Sequence, residues 1–501
     1  MPPHVVIIGA GPAGLTAGYL LIKENIPVTI LEEDPVYVGG IAKTAVYKDY
    51  CFDIGGHRFF SKSEEVESLW SEILPDDMLE RPRSSRIFYR QHFFAYPLKA
   101  FDALYKLGIM QSFLCVVSYV KAHLNPINPV KSFSDWVINH FGHRLYSIFF
   151  KTYTEKVWGM RCEEISADWA AQRIKGLSLA SAIYNAIVPA GFMQRNKKKV
   201  IKTLIDSFRY PRKGPGMLWN ACADKIRDAG GQVRMGSRVH RCEYNKEQDL
   251  WTVSCTDAHG DTQQLHATHV ISSAPLRELS VDYLQPPLSK EAMTAASALK
   301  YRDFLIVVLI LKDKNLFHDN WIYIHDPEVE VARIQNFKSW SPDMVPEEGM
   351  CSYGLEYFCF KDDKTWSAPD DELIKKASAE IVKLGLASLS DIVDGCVVRQ
   401  IKAYPVYDRD YQNNVAIIRD ELEAKFPSLY LIGRNGMHKY NNQDHAMMTA
   451  MLTVKNIIAK ERQYDVWCVN QDAEYIETVT DKDTNSASGL RAVPQQVLEQ
   501  E

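Results

Sequence analysis

The sequence predicts an α/β fold with two domains, and three patterns lead to that prediction. The chain opens with a β-branched run, 4–8, that enters a glycine-rich turn and leaves it as a helical pattern, as in a nucleotide-binding strand–turn–helix unit. Between about residues 98 and 210 the apolar spacing is mostly helical. Strand-like runs lie at 86–90, 232–242, 250–256, 268–273, 304–311, 321–324, 395–404 and 429–432. A parallel nucleotide-binding sheet beside a helical and antiparallel-sheet domain accounts for all three patterns.

Length and composition set bounds on function. A chain of 501 residues is long enough for two or three domains and a large core. Hydrophobic residues make up 46% and charged residues 24%, which is typical of a globular protein. The net charge of −5 does not provide the broad basic surface that duplex nucleic acid requires, so we expect no nucleic-acid partner.

The cysteines and apolar runs predict a cytoplasmic protein without a metal site. The ten cysteines form no CxxC pair and no histidines have zinc spacing, so we expect reduced thiols. The first strand begins at His4, which leaves no room for a signal peptide, and no apolar run is clean enough to span a membrane. The apolar run 177–193 and the basic run 195–199 form either a lid or a membrane-surface patch, and we favour the lid.

The N-terminal turn predicts a dinucleotide site. Gly9 permits the tight turn, Gly11 lets a pyrophosphate approach the backbone, and Gly14 lets helix and strand pack closely. The helix that follows directs unpaired N–H groups at the phosphates. Glu32, at the end of the second strand, is placed to accept a hydrogen bond from a ribose hydroxyl. The predicted contacts in this unit are Gly9, Gly11, Pro12, Ala13, Gly14, Glu32 and Glu33.

Further glycine pairs favour FAD as the dinucleotide. Gly39 and Gly40 follow the ribose acid, and a GGH segment that includes Gly56 and His57 comes soon after. Backbone must therefore pass close to the cofactor again, which an FAD enclosed along its length requires and a nicotinamide domain does not. No second GxGxxG has strand context, so no separate NAD(P)H domain is evident.

These motifs resemble the FAD proteins related to amine oxidases, and most closely UDP-galactopyranose mutase. FKTYTEKVWG is similar to the YTxKQWG stretch of the mutases, and LKYRDF, ARIQNFK and GRNGMHKYNNQD are similar to their YRSL, TRIxEFK and GRxAxYxYxxMD motifs. YPRKGPGMLW, at 210–219, is instead similar to the glycine turn of protoporphyrinogen oxidases and desaturases. The resemblance touches most of the chain, from residue 5 to about 460.

The resemblance implies a Rossmann-type FAD-binding domain built from discontinuous segments. We expect that domain at 1–75, 212–290 and 425–462, and a helical plus antiparallel-sheet substrate domain at 76–211 and 291–424. Residues 463–501 would form a C-terminal extension, partly disordered because it is polar with few aromatics.

The resemblance also implies the site residues. The aromatic stretch would bind the uracil and sugar, and the arginines would hold the diphosphate. The implied substrate-binding residues are Phe149, Tyr153, Trp158 and Arg333, and the implied catalytic residues are Arg302, Arg434, Tyr440, His57 and Arg173. Val239, Gly433, Arg434, Asn442, Gln443 and Asp444 would complete the non-covalent FAD site, and Tyr407 and Tyr411 are candidates for a further family tyrosine.

The residues themselves leave alternatives open. The stretch 149–159 also reads as a helix that ends at Gly159 with its aromatics in the core. Arg302 and Arg434 adjoin buried-looking strands, so each needs a partner, either a diphosphate or flavin or an internal carboxylate. His57 is either a polar core histidine or, as the resemblance implies, a neighbour of the flavin.

The functional expectation is an FAD-dependent mutase that acts on a nucleotide sugar in polysaccharide biosynthesis. The resemblance implies a pyranose/furanose isomerase that uses reduced flavin N5 as nucleophile, with NAD(P)H as a candidate external reductant. The alternative is an FAD-dependent oxidase or desaturase of the amine oxidase or protoporphyrinogen oxidase type, acting on a lipid-linked substrate. A flavin-bearing scaffold without catalysis is the least favoured hypothesis. The sequence does not fix the number of chains that assemble.

Overall fold

A computed structural model describes residues 4–96, 98, 100–167, 203–204, 207–470 and 478–479. Its strands, in chain order, are β1 Val5–Ile8, β2 Val28–Leu31, β3 Thr44–Tyr47, β4 Tyr50–Asp53, β5 Met78–Pro82, β6 Ser85–Tyr89, β7 His92–Ala95, β8 Thr203–Leu204, β9 Ser207–Pro211, β10 Gln232–Arg234, β11 Arg238–Asn245, β12 Leu250–Thr256, β13 Thr262–Ala267, β14 His269–Ser272, β15 Leu284–Gln285, β16 Tyr301–Lys312, β17 Trp321–Ile324, β18 Arg333–Asn336, β19 Met350–Cys359, β20 Ile392–Pro405, β21 Leu429–Leu431 and β22 Thr478–Val479. The predicted α/β class is confirmed.

The helices of seven residues or more follow the same order. They are α1 Pro12–Lys23, α2 Glu64–Ile73, α3 Ala100–Leu107, α4 Ile109–Leu124, α5 Phe133–Leu145, α6 Thr152–Trp158, α7 Gly216–Asp228, α8 Lys290–Ala298, α9 Asp370–Lys383, α10 Tyr411–Lys425 and α11 Gln443–Ala459. Shorter helical turns lie at Gly40–Ala42, Tyr146–Lys151, Leu276–Glu278, Leu279–Tyr283, Phe337–Trp340, Pro342–Met344, Lys364–Ser367, Leu389–Asp391, Gly433–Gly436 and Val466–Cys468.

A parallel sheet organises the nucleotide-binding half. Its strand order is β10–β2–β1–β14–β21, and every pair is parallel. All of its strands fall within the segments expected to form the FAD-binding domain. Helix α1 packs against both α7 and α11 on this sheet, so the first and last parts of the chain share one core. The exact domain boundaries stay a prediction.

A smaller sheet, ordered β13–β12–β11–β15, lies beside the parallel sheet. The predicted single strand 232–242 is wrong, because it is two strands that belong to different sheets, β10 and β11. Gly236 separates them in a left-handed conformation, with φ of +61°, and its N–H donates to the Asp34 carbonyl. The turn thereby ties this sheet to the loop that follows β2.

The substrate half is a seven-stranded sheet ordered β20–β16–β19–β18–β17–β6–β7. Neighbouring strands are antiparallel, except that β17 and β6 are parallel. Side chains of one face, such as Leu305 and Val307, pack with Ile381 of α9. The alternate residues Phe304 and Ile306 face the nucleotide-binding core, so that face looks toward the cofactor half.

A helical layer covers the edge of this sheet. Helix α5 continues through a π-helical turn, Tyr146–Lys151, into α6, which ends at Gly159 with φ of +61°. The predicted helix end at Gly159 is confirmed. The predicted lid or membrane patch at 177–199 lies outside the described residues, as does most of the C-terminal extension, although Thr478–Val479 pairs with Thr203–Leu204.

From the sequence we expect no disulfides, no metal site and no membrane-spanning helix, and the described part of the chain can be compared with each expectation. All ten cysteines lie there as free thiols, eight of them buried. Among the same residues no group of histidine, cysteine and acidic side chains could hold a metal ion. No described helix is both long enough and apolar enough to cross a bilayer.

Candidate active site

A cavity of about 240 Å³ opens at the carboxyl ends of the parallel strands. Ligands of open α/β sheets bind at this edge, where the loops after each strand meet. The predicted cofactor residues that line it are Gly9, Gly11, Pro12, Ala13, Glu32, Glu33, Gly40, His57, Val239, Gly433, Arg434, Asn442 and Gln443. Residues that are distant in sequence are therefore brought to one cavity, as the dinucleotide prediction requires.

The glycine turn forms the floor of the cavity. A Cβ atom on Gly14 would lie 1.9 Å from the Gly9 carbonyl oxygen, so strand and helix approach as closely as predicted. Gly11 is the N-cap of α1 and makes no side-chain cap, which leaves the first N–H groups of the helix directed at the cavity. These donors and the helix dipole suit a pyrophosphate.

The second glycine pair is held against the first. The Gly39 N–H donates to the Ala10 carbonyl at 2.8 Å, and a Cβ on Gly40 would lie 3.4 Å from the Gly11 Cα. Gly39 has φ of +97°, a conformation that favours glycine. Both backbone passes therefore border the same space, as expected for an extended cofactor.

The carboxylate of Glu32 lies at the mouth of this turn. It accepts hydrogen bonds from the Ala10 N–H at 2.6 Å and the Asp34 N–H at 2.9 Å. Burial raises its pKa, and these backbone donors work against that rise. Glu33 is exposed and pairs with Arg238 at 3.4 Å, beside Val239.

The other end of the cavity carries unsatisfied polar atoms. His57 Nδ1, Asn435 Oδ1 and Gln443 Oε1 are buried there and have no hydrogen-bond partner within the described ranges. Helix α11 begins beside them, with Asn442 as its N-cap and the buried Asp444 in its first turn. Such atoms fit a cofactor whose ring edge carries donors and acceptors, as the flavin ring does.

Arg434 joins the cavity to the substrate half. Its guanidinium lies 5.2 Å from the Tyr404 ring and 4.8 Å from the Tyr440 ring, and these two rings are nearly parallel, 5.7 Å apart. It donates to the carbonyls of Asn441 at 2.9 Å and Ala403 at 3.1 Å. Among the described residues it has no salt bridge, so the internal-carboxylate alternative is not observed for it.

Tyr404 was missed by the sequence analysis. Tyr407 and Tyr411 were the candidates, but their rings stack on each other at 4.2 Å, and the Tyr407 hydroxyl accepts the Tyr440 N–H at 2.6 Å. The signal that could have found Tyr404 is its place near the end of β20, opposite Arg302 in the register with β16.

A buried ion pair lies on the sheet face that looks toward the cavity. Arg333 donates to Glu356 through Nε at 2.6 Å, and Gln335 Nε2 donates to the other oxygen of Glu356 at 2.6 Å. Neither Glu356 nor Gln335 was predicted from sequence. The ion pair lies close to the GGH segment, since a Cβ on Gly55 would be 3.8 Å from Arg333 Nη2 and 3.7 Å from His57 Cε1.

His57 is neutral in this setting. Burial, together with the positive charges of Arg434 and Arg333, lowers its pKa to about 3. Gly56, before it, packs beside Trp340 and Gln335 rather than on the cavity. His57 lines the cavity, and its position beside a flavin stays a prediction.

The aromatic stretch divides between core and pocket. Tyr153 is half-buried, with its ring stacked on His325 at 4.9 Å and its edge toward Tyr323 at 5.4 Å. Phe149 is buried against Phe94, and Trp158 is buried with its ring 6.4 Å from Tyr407. The core interpretation therefore describes Phe149 and Trp158, and Tyr153 is the aromatic that lies near Arg333.

Arg302 has internal partners. It is buried and donates to the carbonyls of Phe358 at 2.6 Å and Val157 at 3.2 Å, and it lies 3.6 Å from the Asp363 carboxylate. It does not line the cavity, so its contact with a diphosphate stays a prediction. Arg173 lies outside the described residues.

Arg58 and Arg83 lie close to the ion pair, and we call them, together with Arg333 and Arg434, the cationic wall. The guanidinium groups of Arg58 and Arg83 lie 5.5 and 5.8 Å from the Trp321 ring, and Trp321 lies 6.3 Å from Tyr323 on the same strand. Tyr323 pairs with Arg333 across β17 and β18. Aromatic rings and guanidinium groups thus follow one another, partly buried, from Trp321 to Arg434.

Comparison with known proteins identifies relatives of this arrangement. The family model of flavin-containing amine oxidoreductases matches residues 12–406. Protoporphyrinogen oxidase 2 of Arabidopsis thaliana is 22% identical over 469 residues, which cover 86% of this chain and 89% of that protein. The structure of reduced UDP-galactopyranose mutase is similar with a TM-score of 0.78 at 21% identity, over 92% of this chain and 94% of that one. Putrescine oxidase bound to putrescine is similar with a TM-score of 0.59 at 16% identity, over 92% and 99%.

Proposed function

Since this chain belongs to the flavin-containing amine oxidoreductase family and is an FAD-dependent enzyme, we propose that it acts on a nucleotide-activated sugar, as a pyranose/furanose isomerase like UDP-galactopyranose mutase. The observation that supports this substrate class is the cationic wall beside the cofactor cavity. Arg333 and Arg434 both act on the neutral His57, and Arg58 and Arg83 extend the wall along Trp321. A nucleoside diphosphate carries the negative charge that such a wall attracts.

The same wall argues against a cationic amine. The Tyr404 and Tyr440 rings offer the aromatic faces that would attract a substrate ammonium group. The guanidinium of Arg434 already lies against both faces. A second cation there would meet like charge, whereas a phosphate would meet an arginine that has a remaining donor.

The arginines retain donors for a substrate. Within the described residues, Arg434 uses Nε and Nη1 for backbone carbonyls, and Arg333 uses Nε and Nη2 for Glu356. Nη2 of Arg434 and Nη1 of Arg333 make no hydrogen bond there. These two N–H groups would hold diphosphate oxygens, and Glu356 would fix the direction of Arg333.

The aromatic residues would position the base and sugar. Tyr153 and Tyr323 lie edge to face next to Arg333, which suits stacking of a uracil beside its phosphates. Phe149 and Trp158 would support that surface from the core, and Arg302 would hold the end of α6 through the Val157 carbonyl. Arg173 is proposed as a further diphosphate contact.

FAD fits the cavity at both ends, bound non-covalently. The glycine turn and the N-terminus of α1 would hold its pyrophosphate, Glu32 its ribose, and Gln443 with the N-terminus of α11 its ring edge. Bound FAD supplies either a nucleophilic nitrogen or a hydride acceptor at the ring. His57, kept neutral, can donate or accept one hydrogen bond beside that ring without adding charge.

The motif that resembles oxidases serves the cofactor half. Gly214 and Gly216 pack against Thr44, at 2.4 and 2.6 Å from a Cβ built on each, and the Gly216 N–H donates to the Thr44 hydroxyl. Thr44 comes shortly after Gly39 and Gly40 in the chain, so this packing supports the cofactor-binding loop whichever reaction occurs. The oxidase alternative therefore gains no support from this motif.

The test uses the full-length holoenzyme with FAD. Oxidised and reduced forms, the latter prepared with dithionite or NAD(P)H, are titrated with UDP and UDP-galactopyranose while the flavin absorbance is followed. We expect the nucleotides to perturb the spectrum, and we expect furanose product only from the reduced enzyme without net oxidation of reductant. Oxygen consumption with an amine substrate, together with a spectrum that UDP leaves unchanged, would instead establish the oxidase.

A matched pair of variants tests the role of Arg434. Arg434→Gln removes a guanidinium that stacks on tyrosines at the cavity, and Arg462→Gln removes one that stacks on Tyr430, at 5.1 Å, away from it. Loss of a charge-assisted bond should weaken UDP binding by about tenfold or more in the first variant. The second should bind UDP as the unsubstituted protein does, and equal losses in both would count against the proposal.

A further inference from the structure

Helix α4 presents an apolar face to solvent. Seven residues on one side of it are between 39% and 93% exposed, and at 100° per residue they span an arc of about 140°. They are Ile109, Met110, Phe113, Leu114, Val117, Val120 and Leu124, and we call this set the outward face of α4. Cys115 and Ala122, on the opposite side, are buried where α4 packs on α5. Helix α4 therefore exposes its large apolar side chains to solvent, whereas an amphipathic helix in a globular protein usually buries them.

Exposed apolar side chains also lie before and after α4 in the chain. Tyr105, one turn before α4, is 88% exposed, and Ile127 and Val130 are exposed in the loop that follows. Isolated exposed apolar side chains are ordinary, but a contiguous set of this extent marks a contact surface. We therefore expect the outward face to be a binding surface.

The rim of this surface is basic. Between residues 100 and 151 the chain has five lysines and arginines and two aspartates, whereas the whole chain has a net charge of −5. Lys106 pairs with Asp102, but Lys121, Lys131, Arg144 and Lys151 form no salt bridge with a carboxylate in the described part of the chain. Three of them lie at this surface: Lys121 is on α4 itself, Lys131 directly follows the exposed Val130, and the Arg144 guanidinium donates to Gln111 of α4 at 2.6 and 3.1 Å.

We propose that the outward face of α4 binds the surface of an anionic lipid bilayer. An apolar face rimmed by lysine and arginine is the pattern of helices that lie in the bilayer interface, with the cations at the phosphates. At 16 residues α4 is about 24 Å long, shorter than the hydrocarbon core of a bilayer, and one side of it is packed on α5. It therefore lies along the surface.

Charge decides between a bilayer and a second copy of the chain. A two-fold dimer through the outward face would bring the two copies of the basic rim together, because the same patch faces itself. Like charges at the rim oppose that pairing, whereas anionic headgroups neutralise them. The bilayer is thus the occupant that satisfies both the apolar face and its rim.

The test is co-sedimentation of the FAD holoenzyme with vesicles. Vesicles of phosphatidylcholine with phosphatidylglycerol should bind the protein, and vesicles of phosphatidylcholine alone should bind it less. Phe113→Gln with Val117→Gln should lower the partition coefficient by about tenfold or more, since two large apolar side chains leave the interface. Leu389→Gln with Val393→Gln, which alters exposed apolar residues elsewhere, should leave partition unchanged.

Two further measurements keep the outcome clear. Lys121→Gln with Lys131→Gln should reduce the preference for anionic vesicles, and raising the salt concentration should have the same effect. The flavin absorbance of each variant checks that it is folded. Absence of binding to anionic vesicles, or a lipid-free dimer that Phe113→Gln with Val117→Gln converts to a monomer, would overturn the proposal. None of these results depends on which substrate the enzyme accepts.

Discussion

Arg333 and Glu356 form an ion pair across neighbouring strands β18 and β19, with contacts of 2.6 Å from Nε and 2.5 Å from Nη2 to one carboxylate oxygen. Glu356 is fully buried, and its second oxygen accepts from Gln335. Burial of two charges is costly, so the pair persists because each satisfies the other. Because the ion pair also lies beside His57, it contributes to the buried core and to the candidate site at once.

Loss of the Glu356 charge should destabilise the protein strongly. Glu356→Gln leaves the Arg333 guanidinium buried without a carboxylate, and we expect the free energy of unfolding to fall by about 3–5 kcal/mol. Denaturant unfolding measures this. The control is Asp371→Asn, which removes an exposed pair with Lys375 and should cost about 0.5 kcal/mol or less. A similar small loss in both variants would show that the buried pair is not needed for stability.

The glycine turn allows cofactor binding and folding to be separated. Gly14→Ala places a Cβ 1.9 Å from the Gly9 carbonyl and should destabilise even the FAD-free protein by about 3 kcal/mol. Gly11→Ala places a Cβ 4.0 Å from the Gly40 Cα, which is ordinary contact, so the FAD-free stability should be nearly unchanged. Gly11→Ala should nevertheless weaken FAD binding by about tenfold or more, because the Cβ occupies the approach of the pyrophosphate. Unfolding and FAD-fluorescence titrations measure the two effects, and unimpaired FAD binding by Gly11→Ala would refute the assignment of this turn.

How far the sequence predicted the site depends on the range of the interactions. Gly9, Gly11 and Gly14 were found because their spacing is local and their physical roles follow from the turn itself. Glu356 and Tyr404 were missed because they depend on the register between strands far apart in the chain. A lone glutamate in the apolar run of β19 was the available signal, but a single sequence does not say which side chain it faces.

Arg302 is a second case in which the sequence did not determine a long-range contact. The sequence indicated correctly that a charge beside an apolar strand needs a partner. It did not distinguish a diphosphate from the carbonyls of Val157 and Phe358, which the fold brings to the guanidinium from two separate elements. Local pattern thus predicts that a group is unusual, and tertiary packing decides what it contacts.

Buried neutral histidines should make the protein less stable in acid. Burial lowers the pKa of His438 to about 4, whereas an unfolded histidine has a pKa of about 6.5. Between these values the unfolded chain binds a proton that the folded chain does not, so the free energy of unfolding falls as the pH decreases through that window. For one such histidine the loss between pH 7 and pH 5 is about 2 kcal/mol.

The variant His438→Asn tests this dependence. Asparagine tolerates the left-handed backbone at this position, where φ is +46°, and it does not titrate. We expect the fall in unfolding free energy from pH 7 to pH 5 to be smaller in this variant, as measured by denaturant unfolding at each pH. The exposed His259→Asn is the control and should keep the slope of the unsubstituted protein. Parallel pH profiles for all three proteins would contradict the expectation.

The close packing of Gly159 against Arg302 gives a prediction about the end of α6. A Cβ on Gly159 would lie 2.4 Å from the Arg302 Cζ, so Gly159→Ala must displace the guanidinium from the carbonyls that it bonds. Gly230 is a matched control, because it also has a positive φ, +89°, but a Cβ there meets no atom within 4 Å. Both alanines bear the cost of the left-handed conformation, about 1–2 kcal/mol. Gly159→Ala should lose about 1–3 kcal/mol more, since the displaced arginine is buried. Thermal or denaturant unfolding measures the difference between the two variants, and equal stability would mean that Arg302 moves aside freely and does not anchor α6.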